Sequence, residues 1–257
     1  MEAIEKSDKK CPLCYLSVST EERHMDHLLT NEVVMDPGFR EKVLAARGFC
    51  NHHAHLLYRE SREPHTQDGL GYCIYMKDII GEIAEKLGSA TIDMMNELEA
   101  SAKSSIVTRR RKLRRTTKSF GDIVEETVRG QEQCPVCEFL WSMDEIYLST
   151  LLQMLDDREF REGFELSGGV CLPHFVSAIQ MIGHSKPKRP IDVAQTLVKT
   201  EMRRLQLIAG YLSEFARKHS WEFSHERYGP EAEANLMALL ALVGVEGLDC
   251  IRDKTLS

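Results

Sequence analysis

Four short cysteine motifs, arranged as two matching pairs, constrain this chain more than any other feature of its sequence. CPLC at 11–14 is followed by CNHH at 50–53, and CPVC at 134–137 is followed by CLPH at 171–174. Cysteine and histidine at these spacings are typical ligands of tetrahedral zinc, because two intervening residues let one turn present both donors to one ion. The pattern therefore predicts two metal sites with three cysteines and one histidine each.

The two halves also agree outside the motifs. After a two-residue deletion in the second copy, thirteen of about 43 aligned positions are identical, which is too many to ascribe to chance. The identical pairs include Pro12 with Pro135, Glu22 with Glu145, Arg40 with Arg161, Glu41 with Glu162, and Gly48 with Gly169. We interpret the agreement as an internal duplication.

The comparison of the copies also selects the histidine ligand. The first copy offers His52, His53 and His55, whereas the second has a histidine only at His174, which aligns with His53. We expect each copy to build its own site. The two expected ligand sets are Cys11, Cys14, Cys50 and His53, and Cys134, Cys137, Cys171 and His174.

Three other roles for these cysteines were weighed. Buried cysteines can pack as small hydrophobic side chains, but this does not explain a repeated histidine. A thioredoxin-like dithiol needs a βαβ context that the sequence lacks. Iron–sulfur clusters use the same donors and remain the alternative to zinc. Zinc with three cysteines and one histidine has no open coordination position, so its role would be structural.

The apolar periodicity predicts an all-α fold. Apolar residues recur every three or four positions over 191–216 and over 74–98, and strand patterns are nearly absent. We expect an internally duplicated helical bundle in which each half is a metal-binding helical hairpin plus a long helix. The expected segments are a first repeat at 1–102, a basic linker at 103–121, a second repeat at 122–228 and a C-terminal helix at 229–257.

The charge distribution points to one local binding surface. The chain carries a net charge of −7, which argues against nucleic-acid binding by the whole surface. Residues 103–121 reverse that charge, with eight Lys or Arg and no acidic residue. This segment is either a solvated linker or exposed helix end, or a weak contact for nucleic acid or phosphate. The basic residues proposed for such a contact are Arg109, Arg110, Arg111, Lys112, Arg114 and Arg115.

Several remaining polar and sulfur-containing residues have weaker assignments. Arg40 and Arg161 either contact cysteine sulfur or the repeated glutamates, or form ordinary surface ion pairs. Cys73 and Cys250 lie in apolar surroundings and are expected to pack in the core. His52 and His55 are candidates for a secondary metal or proton site.

Activity and location follow from what the sequence does not contain. It offers no nucleophile beside a base, no Gly-rich phosphate loop and no carboxylate pair at catalytic spacing, so a binding role is favoured over an enzymatic one. It has no signal-peptide pattern and no apolar run of membrane-spanning length, and we expect a cytoplasmic protein without a membrane contact.

The motifs CPLC, DPGFRE and GFCNHHAHLL, with the C-terminal GPEAEANLMALLALVG, resemble an uncharacterised prokaryotic family of unknown function. Its members carry CPxC and GFCxxH motifs on a helical chain, and the resemblance implies no established activity. From the residues themselves we expect a metal-binding helical scaffold or adaptor, with zinc the favoured metal, that recognises an unidentified protein partner. The alternative is an iron–sulfur redox or sensor protein with two clusters on the same ligands.

Overall fold

The computed structural model describes residues 11–66, 69–101, 106–129, 132–223 and 225–247, with the backbone alone at 101 and 106–110. These residues form eleven α-helices and two short 3₁₀ turns, and they contain no strand, which confirms the all-α prediction. The helices are α1 Pro12–Leu28, α2 Asn31–Val34, α3 Pro37–Ala45, α4 Asn51–Glu60, α5 Leu70–Ser101, α6 Ile106–Arg129, α7 Pro135–Met154, α8 Arg158–Ser167, α9 Leu172–Ser185, α10 Pro190–Lys218 and α11 Ala234–Val243.

The chain divides into two compact units. The hairpin unit is Glu22–Glu138. The terminal unit consists of the residues before it, up to Glu21, and the residues after it, from Phe139. Both divisions fall inside a helix, α1 in the first case and α7 in the second. The repeat boundaries at 102, 121 and 228, and the duplication itself, stay predictions. The described part of the basic segment lies within α6.

The hairpin unit is built around two long helices and a buried tyrosine. Helices α5 and α6 pack along each other, and Thr116 donates a hydrogen bond to Glu97. The ring of Tyr75 on α5 lies edge-on to Phe39 and Phe49, with 6.0 Å between ring centroids in each case. Its hydroxyl donates to the carbonyl of Leu28 at 2.9 Å. These contacts hold the end of α1, helix α3 and the segment before α4 against one helix.

An arginine fixes the chain just before the first Cys-x-x-His motif. Arg47 has a φ of +56° and a side chain that is only 9% exposed. Its guanidinium donates to the carbonyl of Thr127 on α6 and to the carboxylate of Glu82 on α5, at 2.8 and 2.9 Å. Gly48 follows with a φ of +105°, a region that glycine enters without steric cost. The motif at 50–53 is therefore held against the long hairpin.

In the terminal unit, α8, α9 and α11 pack against α10. Its core consists of aromatic and aliphatic side chains, among them Leu152, Leu155, Phe164, Val193 and Leu197. The connection before the second Cys-x-x-His motif lies directly against α10, because a Cβ atom on Gly169 would come 3.2 Å from Thr200 and 3.3 Å from Glu201. Gly168 and Gly169 both have positive φ, as do Arg47 and Gly48 in the first copy.

Two helices begin at an aspartate that caps the first turn. Asp36 and Asp157 occupy the N-cap positions of α3 and α8, where their side chains accept from Gly38 N–H and Phe160 N–H. Such caps satisfy donors that a helix start leaves unpaired. Among the described residues, no helix combines the length and apolar character needed to cross a bilayer.

Candidate metal sites

All four cysteine motifs lie at the first turn of a helix. Cys50 and Cys171 are the N-cap residues of α4 and α9, with extended backbone angles. Cys11 and Cys134 directly precede α1 and α7. In each case the cysteine carbonyl accepts from the N–H four residues later, at 2.8 to 3.1 Å. The second donor of each motif is three residues along the same turn, so both donors face one point.

Group 1 consists of Cys11, Cys14, Cys171 and His174, whose donor atoms all lie within 4.8 Å of one another. The histidine Nδ1 is 3.4 Å from Cys11 Sγ, 3.5 Å from Cys14 Sγ and 3.1 Å from Cys171 Sγ. The sulfurs of Cys14 and Cys171 are 3.6 Å apart. All four side chains are buried.

Group 2 consists of Cys50, His53, Cys134 and Cys137, with the same limit of 4.8 Å between donor atoms. Its Nδ1 atom, on His53, is 3.1 Å from Cys50 Sγ, 3.5 Å from Cys134 Sγ and 3.3 Å from Cys137 Sγ. The sulfurs of Cys50 and Cys137 are 3.7 Å apart. Three of the residues are buried and Cys50 is half-buried. The chain therefore has two Cys₃His groups that could each hold a metal ion.

The partition of the donors corrects the sequence prediction. We expected the donors of each copy to pair with one another, but each group combines the Cys-x-x-Cys of one copy with the Cys-x-x-His of the other. The donor types per group are unchanged by this exchange. Metal binding by these eight residues stays a prediction. The expectation that each copy builds its own site is wrong.

Helix length gives the physical reason for the exchange. His174 of group 1 contacts Asp144, which lies ten residues after Cys134 on the continuous helix α7. At a rise of about 1.5 Å per residue, Asp144 is about 15 Å along the helix axis from Cys134. Helix α8, which follows, has half the length of α7, so the chain does not return to the start of α7. Cys171 and His174 meet the start of α1 instead.

Asp144 is a part of group 1 that the sequence reasoning missed. Its Oδ1 lies 3.0 Å from His174 Nε2, and the hydroxyl of Ser17 donates to the same oxygen at 3.4 Å. A carboxylate on the outer nitrogen keeps the proton there and leaves Nδ1 free to bind a metal. The sequence could have suggested this role, because the first copy has an acidic residue, Glu21, at the position that corresponds to Asp144.

One thiol in each group has a lowered pKa, which favours its thiolate form. Hydrogen bonds from Cys11 and Cys171 hold the pKa of Cys14 far below its usual range, whereas burial raises the pKa of Cys11. In group 2 a hydrogen bond from Cys137 lowers the pKa of Cys134. The positive ends of the surrounding helices favour thiolates further. A divalent cation would balance such charge inside a buried group.

The repeated arginines contact other groups than those proposed near the metal. Arg40 pairs with Asp78 on α5. Arg161 donates to the carbonyls of Leu155 and Asp156, at 2.9 and 3.2 Å, and so caps the end of α7. These contacts stabilise helix ends and helix packing, and the suggested contacts to cysteine sulfur are not made.

The remaining candidate residues lie outside the two groups. Cys73 is exposed, so the expectation that it packs in the core is wrong. Cys250 falls outside the described residues. His52 is half-buried and His55 is exposed, and neither contributes a donor to group 1 or group 2.

The basic residues of α6 are on its surface where the structure describes them. Arg111, Lys112, Arg114 and Arg115 are exposed. The side chains of Arg109 and Arg110 lie outside the described part of the chain.

Comparison with known proteins identifies the chain over most of its length rather than by the motifs alone. The model of a family of unknown function, DUF6062, matches residues 1–242. The chain belongs to the DUF6062 family. The resemblance inferred from the motifs is thereby confirmed. Neither a search of curated proteins nor a search of solved structures found a match.

For this DUF6062 protein, the exchanged partition predicts metal counts in double variants. Cys14→Ser should lower the bound metal from two ions to one, because one site loses a thiolate. Adding Cys171→Ser should leave that count at one, since both residues serve group 1. Adding Cys50→Ser instead should lower it to zero. Elemental analysis of the purified variants measures these counts, and within-copy sites would give the opposite order for the two double variants.

A second prediction concerns the carboxylate on His174. Asp144→Asn should weaken metal binding at group 1 by about 10- to 100-fold, because a neutral amide accepts the hydrogen bond from the imidazole more weakly than a carboxylate does and makes the imidazole a poorer ligand. Competition with a chromophoric chelator measures the affinity of each ion. Asp122→Asn, on the exposed face of α6, is the matched control and should leave both affinities unchanged. Equal affinities in the two variants would refute a positioning role for Asp144.

Proposed function

We propose that this protein binds two zinc ions, one in group 1 and one in group 2, and that the metal-built helical body is a scaffold or adaptor for a binding partner. The ions would act in folding rather than in a reaction. Each would join segments that are far apart in the sequence, Cys11 with His174 and Cys134 with His53, at separations of 163 and 81 residues.

The observation that carries the proposal is the spacing of the donor atoms. With zinc–sulfur and zinc–nitrogen bonds of about 2.3 and 2.0 Å, a tetrahedron places two sulfurs about 3.8 Å apart and sulfur and nitrogen about 3.5 Å apart. The measured sulfur–sulfur distances are 3.6 and 3.7 Å. The sulfur–nitrogen distances run from 3.1 to 3.5 Å. Three sulfur–nitrogen edges and one sulfur–sulfur edge of each group are therefore close to those of a tetrahedron around one ion, and the remaining donor distances are below 4.8 Å.

The same spacing favours zinc over an iron–sulfur cluster. A multi-iron cluster has its own iron and sulfide atoms between the cysteines, so ligands on different irons are further apart than ligands that share one ion. All donors of each group lie within 4.8 Å of one another. Among single ions, zinc is the usual partner of three thiolates and an imidazole.

The closed donor set supports a structural role. Three sulfurs and one nitrogen fill a tetrahedral zinc, which leaves no position for water or substrate. His53, Cys137 and Cys171 are each 0% exposed, so solvent does not reach the centre of either group. Structural zinc contributes folding free energy, on the order of 10 kcal/mol per site in zinc-finger peptides. Two such sites exceed the entire stability of an ordinary domain.

Metal content and chelation test the zinc scaffold. Protein purified anaerobically should be colourless and contain about two zinc ions per chain. A strong chelator should abolish the cooperative thermal transition and expose the thiols to a thiol reagent, because each ion holds together buried donors of like charge. Circular dichroism and thiol titration follow the two effects, and re-addition of zinc should reverse them.

Two results would contradict this function. A brown protein with stoichiometric iron and inorganic sulfide would establish the iron–sulfur alternative. Full helicity and an unchanged melting temperature after complete metal removal would refute a structural role for the ions.

The proposed partner surface is the basic face of α6. Arg111, Lys112, Arg114, Arg115 and Lys118 are all exposed on this helix. Their positive charges can bind phosphate groups. Because the protein as a whole has a net charge of −7, such binding would be confined to this helix. Neither a base-reading motif nor interleaved aromatic residues accompany them, which favours sequence-independent contact with the nucleic-acid backbone.

Salt dependence tests the basic surface. A fluorescent 20-base-pair DNA duplex should bind weakly at low salt, and the affinity should fall steeply as salt rises, with a log–log slope near 0.9 per phosphate contacted. Arg114→Gln with Arg115→Gln should lower that slope by about two, as measured by fluorescence anisotropy. Arg59→Gln with Arg62→Gln removes the same charge from other exposed positions and should leave the slope unchanged. An equal loss in both double variants would mean that net charge alone drives binding.

A further inference from the structure

A cavity of about 390 Å³ lies beside the segment that leads into Cys171. One wall is the connection at 166–169, and Met237 of α11 contributes another part. The remaining wall is a face of α10, with Thr200, Arg203, Arg204, Leu207 and Ile208. All of these residues belong to the terminal unit. The volume is within the range of about 300–1,000 Å³ typical of small-molecule pockets.

The charged side chains that line the cavity are positive. Arg203 and Arg204 line the cavity, and none of its described lining residues is acidic. Arg204 is nearly buried, with its side chain 10% exposed, and it is held in place by donating to the carbonyl of Val170. Glu201 lies outside the lining and balances part of the charge of Arg204, since its carboxylate is 3.8 Å from Arg204 Nη1, whereas Arg203 forms no ion pair among the described residues. The lining therefore favours a negatively charged group.

Thr200, which also lines the cavity, has a buried hydroxyl group without a hydrogen-bond partner in the described structure. The residue is 2% exposed, and its Oγ1 makes no hydrogen bond within the described structure. A threonine inside a helix ordinarily donates to a carbonyl three or four residues earlier, as Thr91 and Thr117 do here. A buried hydroxyl that makes no such bond is an exception in native proteins and is explained by a ligand or a bound water.

The rest of the cavity is apolar. Leu207, Ile208 and Met237 line it together with Leu166, which is 85% exposed. This exposed leucine provides an apolar surface against which the hydrocarbon part of a ligand can pack. The site thus has a cationic end and an apolar remainder.

We propose that this cavity binds a small organic anion with an apolar body. Its carboxylate or phosphate monoester group accepts hydrogen bonds from Arg203, Arg204 and the Thr200 hydroxyl, and its hydrocarbon part packs against Leu207 and Met237. Planar guanidinium groups suit carboxylate and phosphate alike, so the head group is defined by its charge and its acceptor oxygens. This inference does not depend on which metal groups 1 and 2 hold.

Isothermal titration of the full chain with four eight-carbon probes tests the proposal. Sodium octanoate and octyl phosphate should bind with saturation at one site per chain. Octanol should bind at least about tenfold more weakly, because it lacks the charge that the arginines bind, and octylammonium should not bind. The stronger of the two anions identifies the head group.

Three variants separate the cavity from the general surface. Arg203→Gln should weaken octanoate binding by about three- to tenfold, and its exposed position keeps the fold unaffected. Thr200→Val keeps the shape of the side chain, so it should weaken binding while raising the melting temperature of the ligand-free protein. Lys199→Gln removes a charge from the exposed side of the same helix and should change neither property.

Two outcomes would overturn the proposal. One is octanol binding as tightly as octanoate, which would show that the arginines do not select an anion. The other is a Thr200→Val protein with a raised melting temperature and unaltered octanoate affinity, which would mean that the hydroxyl is held by water alone.

Discussion

The convergence of two helix starts on each donor group is the constraint on which this structure depends. A thiolate is stable in a buried place only if positive charge lies close to it, and the first turn of a helix supplies such charge through its free N–H groups. Each motif puts two donors on one such turn, so two motifs complete a Cys₃His set. The loops, the positive-φ residues before Cys50 and Cys171, and the buried Arg47 all serve to bring these turns together.

The all-α fold and the local setting of the donors were predictable from sequence, whereas their partition was not. Periodicity indicates helices over 74–98 and 191–216, and these are α5 and α10. The glycines before Cys50 and Cys171 predict helix starts at those cysteines, as observed. Both partitions, however, give each site three cysteines and one histidine, so the types of ligand do not distinguish them. Within-copy loops of about 35 residues are entropically favoured over loops of 157 to 163 residues by only roughly 1.3 kcal/mol. Helix length outweighs so small a preference, because α7 carries Asp144 about 15 Å from Cys134.

Arg161 and Cys73 show a different limit. A residue type repeated in both copies suggests a shared role near the metal, yet Arg161 caps α7 through the carbonyls of Leu155 and Asp156, while Arg40 pairs with Asp78. Cys73 has apolar neighbours in sequence, but on a helix those neighbours point in different directions, and its own side chain faces solvent. Composition around a residue does not determine the side of the helix on which it lies.

The exchange between copies nests the two donor groups along the sequence. The segment that closes group 2, from Cys50 to Cys137, lies entirely inside the segment that closes group 1, from Cys11 to His174. Each group takes two donors from each half of the chain, so neither half contains a complete site. Helix α7 carries residues of both groups, because it starts directly after Cys134 and contains Cys137, which belong to group 2, and presents Asp144 to His174 of group 1. The cavity beside α10 lies next to group 1 in the sequence, since Gly168 and Gly169 line it and Val170, whose carbonyl accepts from Arg204, leads to Cys171. A ligand bound in this cavity would therefore contact the segment that leads to Cys171, a donor of group 1.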